Sequence, residues 1–176
     1  MCGICGFYGE HAAISSDTLE RMNAALVRRG PDEGGVFRDS GVGLAMRRLS
    51  IIDLAGGRQP IQNEDGTIWT VFNGEIYNYR ELRTILSQRG HRFRTHTDTE
   101  VIVHLYEEHG DDLVHHLRGM FAFALWDARR NRGLLVRDRL GIKPLFYARA
   151  GEALLFGSEI KAVLAANLVG RELDYQ

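Results

Sequence analysis

The pattern of apolar and polar positions contains three stretches with the spacing of an amphipathic helix. The first opens at a capping residue, Ser16 or Asp17, and Gly30-Pro31 is expected to stop it. Its apolar side chains recur three and four residues apart and therefore lie on one face of the helix. The residues expected to be buried there are Leu19, Met22 and Leu26.

Two further helices are predicted in the middle of the chain. One starts at Asn78 and the other at Thr97 or Asp98, and Asn78 and Thr97 each have a glutamate three residues later, the spacing of a capping box. Gly90 and Gly110 are the expected ends of these helices. The inward positions are Leu82, Ile85 and Leu86 in the first and Val101, Ile102 and Leu105 in the second.

Strand-like segments surround these helices, and several are joined by short turns rich in glycine or asparagine, such as 130–133 and 150–152. Tandem hairpins indicate antiparallel sheet. Two such sheets bury a core by stacking face to face with helices outside, so we predict an α+β layered fold. The predicted strands are 2–9, 42–53, 67–73, 119–127, 133–138, 144–149 and 153–157.

Composition narrows the functional classes. The 176 residues suit one domain, and a net charge of −1 offers no basic excess for nucleic acid. The apolar runs are far shorter than the roughly 20 residues that a membrane span needs. We see no export signal and only two cysteines, so a cytoplasmic location is expected.

The second residue carries the most chemistry. If Met1 is removed, Cys2 has both a thiol and a free α-amino group, whose ordinary pKa of about 8 suits it to take the thiol proton through water. A nucleophile with its own base needs no histidine. The alternative is an ordinary small buried cysteine.

Cys2 and Cys5 also form a C-x-x-C, which raises redox and metal chemistry. The pair opens the chain and precedes a strand, unlike a thioredoxin-type pair. The histidine pairs that would complete a zinc site, His91/His96 and His104/His109, lie too far from Cys5 for a finger-like site. We therefore expect no metal and assign Cys5 to the core.

Acyl transfer needs hydrogen-bond donors for the oxyanion, each worth roughly 10² to 10³ in rate. Asn73-Gly74 follows a predicted strand and supplies an amide and an unhindered backbone N–H. Asn-Gly is also typical of a hairpin turn. The next residues, however, lead into a capped helix and not into a return strand.

An amino-acid substrate needs a cation for its carboxylate and anions for its amino group. Arg48 offers a bidentate fork, and Glu75 and Asp98 offer carboxylates. Each also has a structural alternative: a surface ion pair for Arg48, a solvated turn for Glu75 and a first-turn helix position for Asp98.

Eight motifs distributed in order along the chain resemble the glutaminase domain of glutamine-hydrolysing asparagine synthetases. These are class II glutamine amidotransferases of the N-terminal-nucleophile hydrolase type. The motifs are 1–4, 29–32, 48–53, 72–78, 97–102, 119–124, 138–145 and 157–161. The resemblance implies a four-layer αββα sandwich of two antiparallel sheets flanked by helices.

The resemblance also implies roles for individual residues. Cys2 is the nucleophile, and Asn73 and Gly74 form the oxyanion hole. The substrate L-glutamine is bound by Arg48, by the backbone of Leu49, Ser50, Ile51 and Ile52, and by Glu75 and Asp98. It reacts through a γ-glutamyl thioester to give glutamate and ammonia, with no metal or cofactor in this domain.

Two departures from the family are visible. Arg28 stands where the family usually has histidine, so we expect a local change in a loop near the site. Residues 1–170 form the amidotransferase domain, and 171–176 resemble the start of a linker to an ATP- and Mg-dependent synthetase domain that this sequence does not contain. The alternatives are amidation of another carboxylate and a non-catalytic glutamine-binding remnant.

Overall fold

The computed structural model describes residues 2–9, 14–49 and 57–171, and these form two antiparallel sheets. The first sheet has the strand order β2-β3-β1-β9-β8. Its strands are β1 (Gly3–Tyr8), β2 (Glu33–Asp39), β3 (Val42–Arg48), β8 (Phe146–Ala150) and β9 (Ala153–Gly157). Strand β1 pairs with β3 along the whole length of β1, with Gly3 opposite Arg47.

The second sheet has the order β4-β5-β6-β7. Its strands are β4 (Ile61–Gln62), β5 (Ile68–Ile76), β6 (Gly119–Asp127) and β7 (Arg132–Arg137). The helices are α1 (Ser16–Ala24), α2 (Tyr79–Gln88), α3 (Val101–His109), α4 (Leu113–His116) and α5 (Ile160–Leu164), with a single 3₁₀ turn at Gly110–Asp112. No helix within these described residues is long and apolar enough to cross a membrane.

Three apolar clusters define the layers. One lies between the sheets and includes Ile4 and Leu44 from the first and Val71 from the second. Another joins α1 and α5 to the outer face of the first sheet. The third joins α2 and α3 to the outer face of the second sheet. The order is helix, sheet, sheet, helix, which confirms the predicted αββα sandwich.

The predicted bounds of α2 agree with the structure, whereas α1 and α3 begin or end at other residues. The N-cap of α1 is Ser15, one residue before the predicted Ser16, and the helix ends at Ala24. Beyond it the chain forms turns whose backbone hydrogen bonds span three residues, such as Leu26 N–H to Asn23 O at 3.0 Å. The Asn78 side chain does not cap α2. It accepts from Arg118 N–H at 3.0 Å instead.

The predicted start of α3 is wrong by three residues or more. The helix begins at Val101, and the Glu100 carboxylate accepts backbone N–H groups of Arg94 and Thr95, each at 2.7 Å. No capping box forms there. Leu82 and Leu86 are buried as expected, whereas Ile85 is 40% exposed and does not face the core.

The sequence pattern predicts most of the strands but misses the strands β2 and β4 and the short helix α5. The second strand has exposed and partly exposed residues throughout and includes Gly34 and Gly35, so it lacks a strand-like apolar pattern. It forms because the edge of β3 supplies hydrogen-bond partners over seven paired positions. The Asn73-Gly74 pair lies inside β5 and is not a hairpin turn.

Candidate active site

The inward faces of three strands end at the same place. Side chains alternate along a strand, so Cys2 continues the inter-sheet face of Ile4, and Arg48 continues that of Leu44. Asn73 has the same parity as Val71 on β5. Since β1 and β3 are antiparallel, the start of one lies beside the end of the other. The sheet geometry therefore gathers these residues at one open end of the inter-sheet core.

A cavity of about 190 Å³ occupies this end of the sandwich. It is lined by seven of the residues selected from the sequence: Cys2, Arg48, Leu49, Asn73, Gly74, Glu75 and Asp98. The other three, Ser50, Ile51 and Ile52, lie outside the described residues. The described part of the predicted substrate site is thus gathered in one pocket.

Two arrangements hold Cys2 at the pocket. Arg29 donates from Nε to the Cys2 carbonyl at 2.9 Å and pairs through Nη1 with Glu159 at 3.5 Å. The thiol sulfur lies 4.0 Å from the Leu49 carbonyl oxygen. On the same strand, Ile4 N–H donates to Ser158 Oγ at 3.0 Å, which ties the start of β1 to the end of β9.

Cys5 is on the opposite face of β1. It is fully buried against α1 and α5, and burial raises the pKa of its thiol far above the usual range. Both cysteines are free, and an odd separation of three places their side chains on opposite sides of the sheet. This confirms the assignment of Cys5 to the core and contradicts a redox pair.

Asn73 presents an unused donor. Its side chain is 2% exposed, and Nδ2 has no hydrogen-bond partner among the described residues. A buried donor without a partner costs roughly 1 to 3 kcal/mol, so it marks a place where a ligand oxygen belongs. Gly74 is required beside it, because a β-carbon there would lie 2.7 Å from the Phe121 α-carbon on β6.

Arg48 is the buried cation of the pocket. Only 6% of its side chain is exposed, and it lies 3.4 Å from a carboxylate oxygen of Glu33. The same carboxylate group pairs with Arg58 at 2.7 Å, so its charge is shared between two arginines. Of the alternatives for Arg48, an exposed surface ion pair is therefore wrong.

Asp98 and Glu75 supply the negative side of the pocket. Asp98 accepts from the Ile76 N–H at 2.8 Å, which anchors its loop to the end of β5. Its pKa is raised to about 6, mainly because burial disfavours the charge and further because the Glu75 carboxylate is nearby. A ligand ammonium placed here would stabilise the charged form of Asp98.

Glu100 holds the loop that carries Asp98. Burial opposes its ionisation, but the neighbouring His104 ring and the donors of Arg94 and Thr95 together lower its pKa to about 2. Thr95 donates to it from both the backbone and the hydroxyl, at 2.7 and 2.6 Å. The loop is therefore fixed by a buried carboxylate and not by helix capping.

Several lining residues were not selected from the sequence. They are Gly57, Gln59, Phe72, Tyr79, His96, Thr97, Thr99, Met120 and Lys143. Lys143 is 8% exposed, so the pocket holds a second cation that the motif 138–145 contained without an assigned role. Arg28 is exposed and does not line the pocket, so the departure from the family falls on the surface.

The similar curated proteins share one name, glutamine-hydrolysing asparagine synthetase. Two glutamine-hydrolysing asparagine synthetases of Bacillus subtilis are 45% and 47% identical over 94% and 100% of this chain, and one of Sandersonia aurantiaca is 45% identical over 83%. The aligned regions are 28%, 24% and 28% of those proteins. The chain thus spans about a quarter of the length of the curated relatives it matches.

Two solved structures share the fold. Glutamine phosphoribosylpyrophosphate amidotransferase of B. subtilis superposes with a TM-score of 0.74 at 22% identity, over 94% of this chain and 44% of that one. A structure described as the allosteric regulatory enzyme of purine biosynthesis gives 0.79 at 20% identity, over 94% and 43%. The model of the glutamine amidotransferase domain family matches residues 1–176. This chain therefore belongs to the glutamine amidotransferase domain family.

Proposed function

We propose that this domain hydrolyses L-glutamine to L-glutamate and ammonia, with Cys2 as the nucleophile. The observation that carries the proposal is the orphaned Asn73 amide, which lies in the same pocket as the Cys2 thiol. An unpaired buried donor beside a nucleophile is the arrangement that an oxyanion needs.

Glutamine binds by its two charged ends. Arg48 receives the α-carboxylate, assisted by the backbone of Leu49 and of Ser50–Ile52, while Glu75 and Asp98 receive the α-ammonium. These contacts do not change during the reaction. Their role is to hold the side-chain amide over the sulfur, since orientation alone lowers a barrier substantially.

The Cys2 sulfur attacks the side-chain amide carbon, and the thiol proton passes to the α-amino nitrogen of Cys2. Asn73 Nδ2 and the Gly74 N–H stabilise the oxyanion. Collapse breaks the carbon–nitrogen bond, the proton moves to the leaving nitrogen, and ammonia departs. Water then attacks the γ-glutamyl thioester, with the same amine as base, which releases glutamate and restores the thiol.

Ammonia released at Cys2 needs an acceptor. We propose that the domain works with an ATP- and Mg-dependent synthetase domain or subunit that converts aspartate to asparagine, and this is supported by relatives that are named glutamine-hydrolysing asparagine synthetases. An enclosed transfer route is needed, since free ammonia is mostly protonated at neutral pH. Amidation of a different carboxylate is the second candidate.

The test compares glutamate release by the wild type, Cys2→Ala and the matched thiol control Cys5→Ser. We expect Cys2→Ala to abolish release and Cys5→Ser to retain it. Mass spectrometry of the same samples establishes whether the N-terminus is Cys2, and an electrophilic glutamine analogue should label that residue alone.

One outcome contradicts the proposal directly. If Met1 is absent and the protein still yields no glutamate in the presence of its synthetase partner, the domain is a non-catalytic glutamine-binding remnant. Supplying aspartate or other carboxylates with ATP then distinguishes the two acceptor hypotheses in a protein that does release ammonia.

A further inference from the structure

A second cluster of ligating side chains lies in the helical layer beside the second sheet, and none of its members lines the pocket. Glu64 is in the turn between β4 and β5, His91 follows α2, and His104 and Glu107 are on α3. One ligating atom from each lies within 4.8 Å of the others. His104 is buried, and the His91 side chain is only 12% exposed.

Four histidine-to-carboxylate distances in this cluster are close to the edge length of a tetrahedral site. His91 Nδ1 lies 3.3 Å from a Glu64 oxygen and 3.5 Å from a Glu107 oxygen. His104 Nδ1 lies 3.3 Å from the other Glu64 oxygen and 3.2 Å from the same Glu107 oxygen. An ion bound at about 2.0–2.1 Å in tetrahedral geometry separates its ligands by roughly 3.3 Å.

The outer nitrogens of both rings face further carboxylates. His91 Nε2 lies within hydrogen-bond distance of Glu108 at 3.2 Å, whereas His104 Nε2 lies 3.8 Å from Glu100 and makes no hydrogen bond among the described residues. Glu108 is held in turn by Arg89 at 2.6 Å. A carboxylate hydrogen-bonded behind the ring, as at His91, is typical of metal-ligating imidazoles, because it sets the tautomer that leaves the inner nitrogen free to bind.

Hydrogen bonds alone satisfy these histidine and carboxylate groups less completely than a bound metal ion does. Each Nδ1 carries at most one hydrogen, yet each faces oxygens of two carboxylates. One divalent cation takes one ligand atom from each of the four residues at once. It also balances the two negative charges of Glu64 and Glu107 when both histidines are neutral.

We infer that Glu64, His91, His104 and Glu107 form a structural Zn²⁺ site. Two imidazoles with two carboxylates suit zinc, whereas magnesium and calcium prefer oxygen ligands alone. Four protein ligands fill the coordination sphere, so the site leaves no position for a substrate. It joins the β4–β5 turn, the end of α2 and the middle of α3 into one unit.

The zinc site influences the Cys2 pocket only through the backbone that connects them. Glu100, which faces His104, also binds the backbone at Arg94 and Thr95, and the segment that follows carries Asp98. Zinc binding is therefore expected to raise the melting temperature while the chemistry at Cys2 proceeds without the ion.

The test uses Zn²⁺ itself, titrated by calorimetry into metal-free Cys2→Ala protein so that the pocket thiol offers no competing ligand. We expect one saturable site per chain and a rise in melting temperature. His91→Gln and Glu107→Gln, added to that background, should each abolish the one-to-one binding. Their side chains are partly exposed, and circular dichroism verifies that both variants fold.

Matched variants sharpen the assignment. His115→Gln removes an exposed histidine and should leave zinc binding unchanged, while Glu108→Gln should weaken it roughly 10- to 100-fold. Co²⁺ in the same site should show the strong visible absorption of tetrahedral coordination. The absence of saturable binding at micromolar Zn²⁺, or binding by the two ligand variants as tight as in the Cys2→Ala background, would overturn the inference.

Discussion

The α-carbon of Gly57 lies against the guanidinium of Arg48. A β-carbon at position 57 would stand 2.9 Å from Arg48 Cζ and 3.0 Å from the Thr97 methyl group. The guanidinium, which is the cation proposed to bind the glutamine carboxylate, is thus held on one side by a residue with no side chain.

Gly57→Ala is therefore expected to displace the Arg48 guanidinium and raise KM for glutamine about tenfold or more, because misplacing a carboxylate clamp weakens binding and orientation together. Steady-state glutaminase kinetics measure the change. Gly170→Ala is the matched control, since a β-carbon there meets no atom within 4 Å. Equal KM values for the two variants would contradict the role of this contact.

The Asn73 side chain should act in the transition state and not in substrate binding. Asn73→Asp keeps the size of the side chain but removes the unpartnered Nδ2 donor. We expect kcat to fall roughly 10²- to 10³-fold with little change in KM. A variant that raises KM and leaves kcat intact would instead assign Asn73 to binding the ground state.

Arg29 should position the nucleophile through its hydrogen bond to the Cys2 carbonyl. Arg29→Lys cannot hold both this carbonyl and Glu159 with one planar fork. We expect kcat to fall roughly 10- to 100-fold while KM stays near the wild-type value. Arg28→Lys changes the exposed neighbour and should have no effect. Loss of activity in both variants would point to a general effect on folding.

The Asp98 carboxylate should lower the stability of the folded protein at neutral pH, although it is proposed to bind glutamine. Its pKa is raised from 3.8 to about 6, so its carboxylate is less favourable in the folded protein than in the unfolded chain. This penalty is absent below pH 3.8, grows between pH 4 and 6 and is complete above it. The full penalty is about 3 kcal/mol by the shift in pKa.

Asp98→Asn keeps an acceptor for the Ile76 N–H and removes the charge. We expect it to raise the free energy of unfolding by about 1 to 3 kcal/mol at pH 8, with the gain shrinking toward pH 4, and to raise KM for glutamine. Urea denaturation at the two pH values measures the first effect. Asp112→Asn, a largely exposed acidic position, should change stability by about 0.5 kcal/mol or less. A pH-independent gain would contradict the assignment.

Local pattern predicted most of the layered fold because helix and strand periods depend on residues close together in the chain. Leu82 and Leu86 were correctly placed in the core for this reason. The pattern does not reveal the edge strand β2, since its hydrogen bonds come from β3 and its two apolar residues, Val36 and Phe37, are adjacent and do not alternate with polar ones. The start of α3 was also misjudged, because Glu100 binds the preceding loop.

The sequence by itself determined which chemical groups the pocket contains, since a thiol, a guanidinium, an amide and two carboxylates are properties of residue type and motif. Only the tertiary structure decided that Asn73 Nδ2 stays without a partner while Asp98 binds Ile76, because those facts depend on how two sheets meet. The pairing of His91 with His104 is of the same kind. Their separation in sequence carries no signal, and only the packing of α3 beside the end of α2 brings their rings within 4.8 Å.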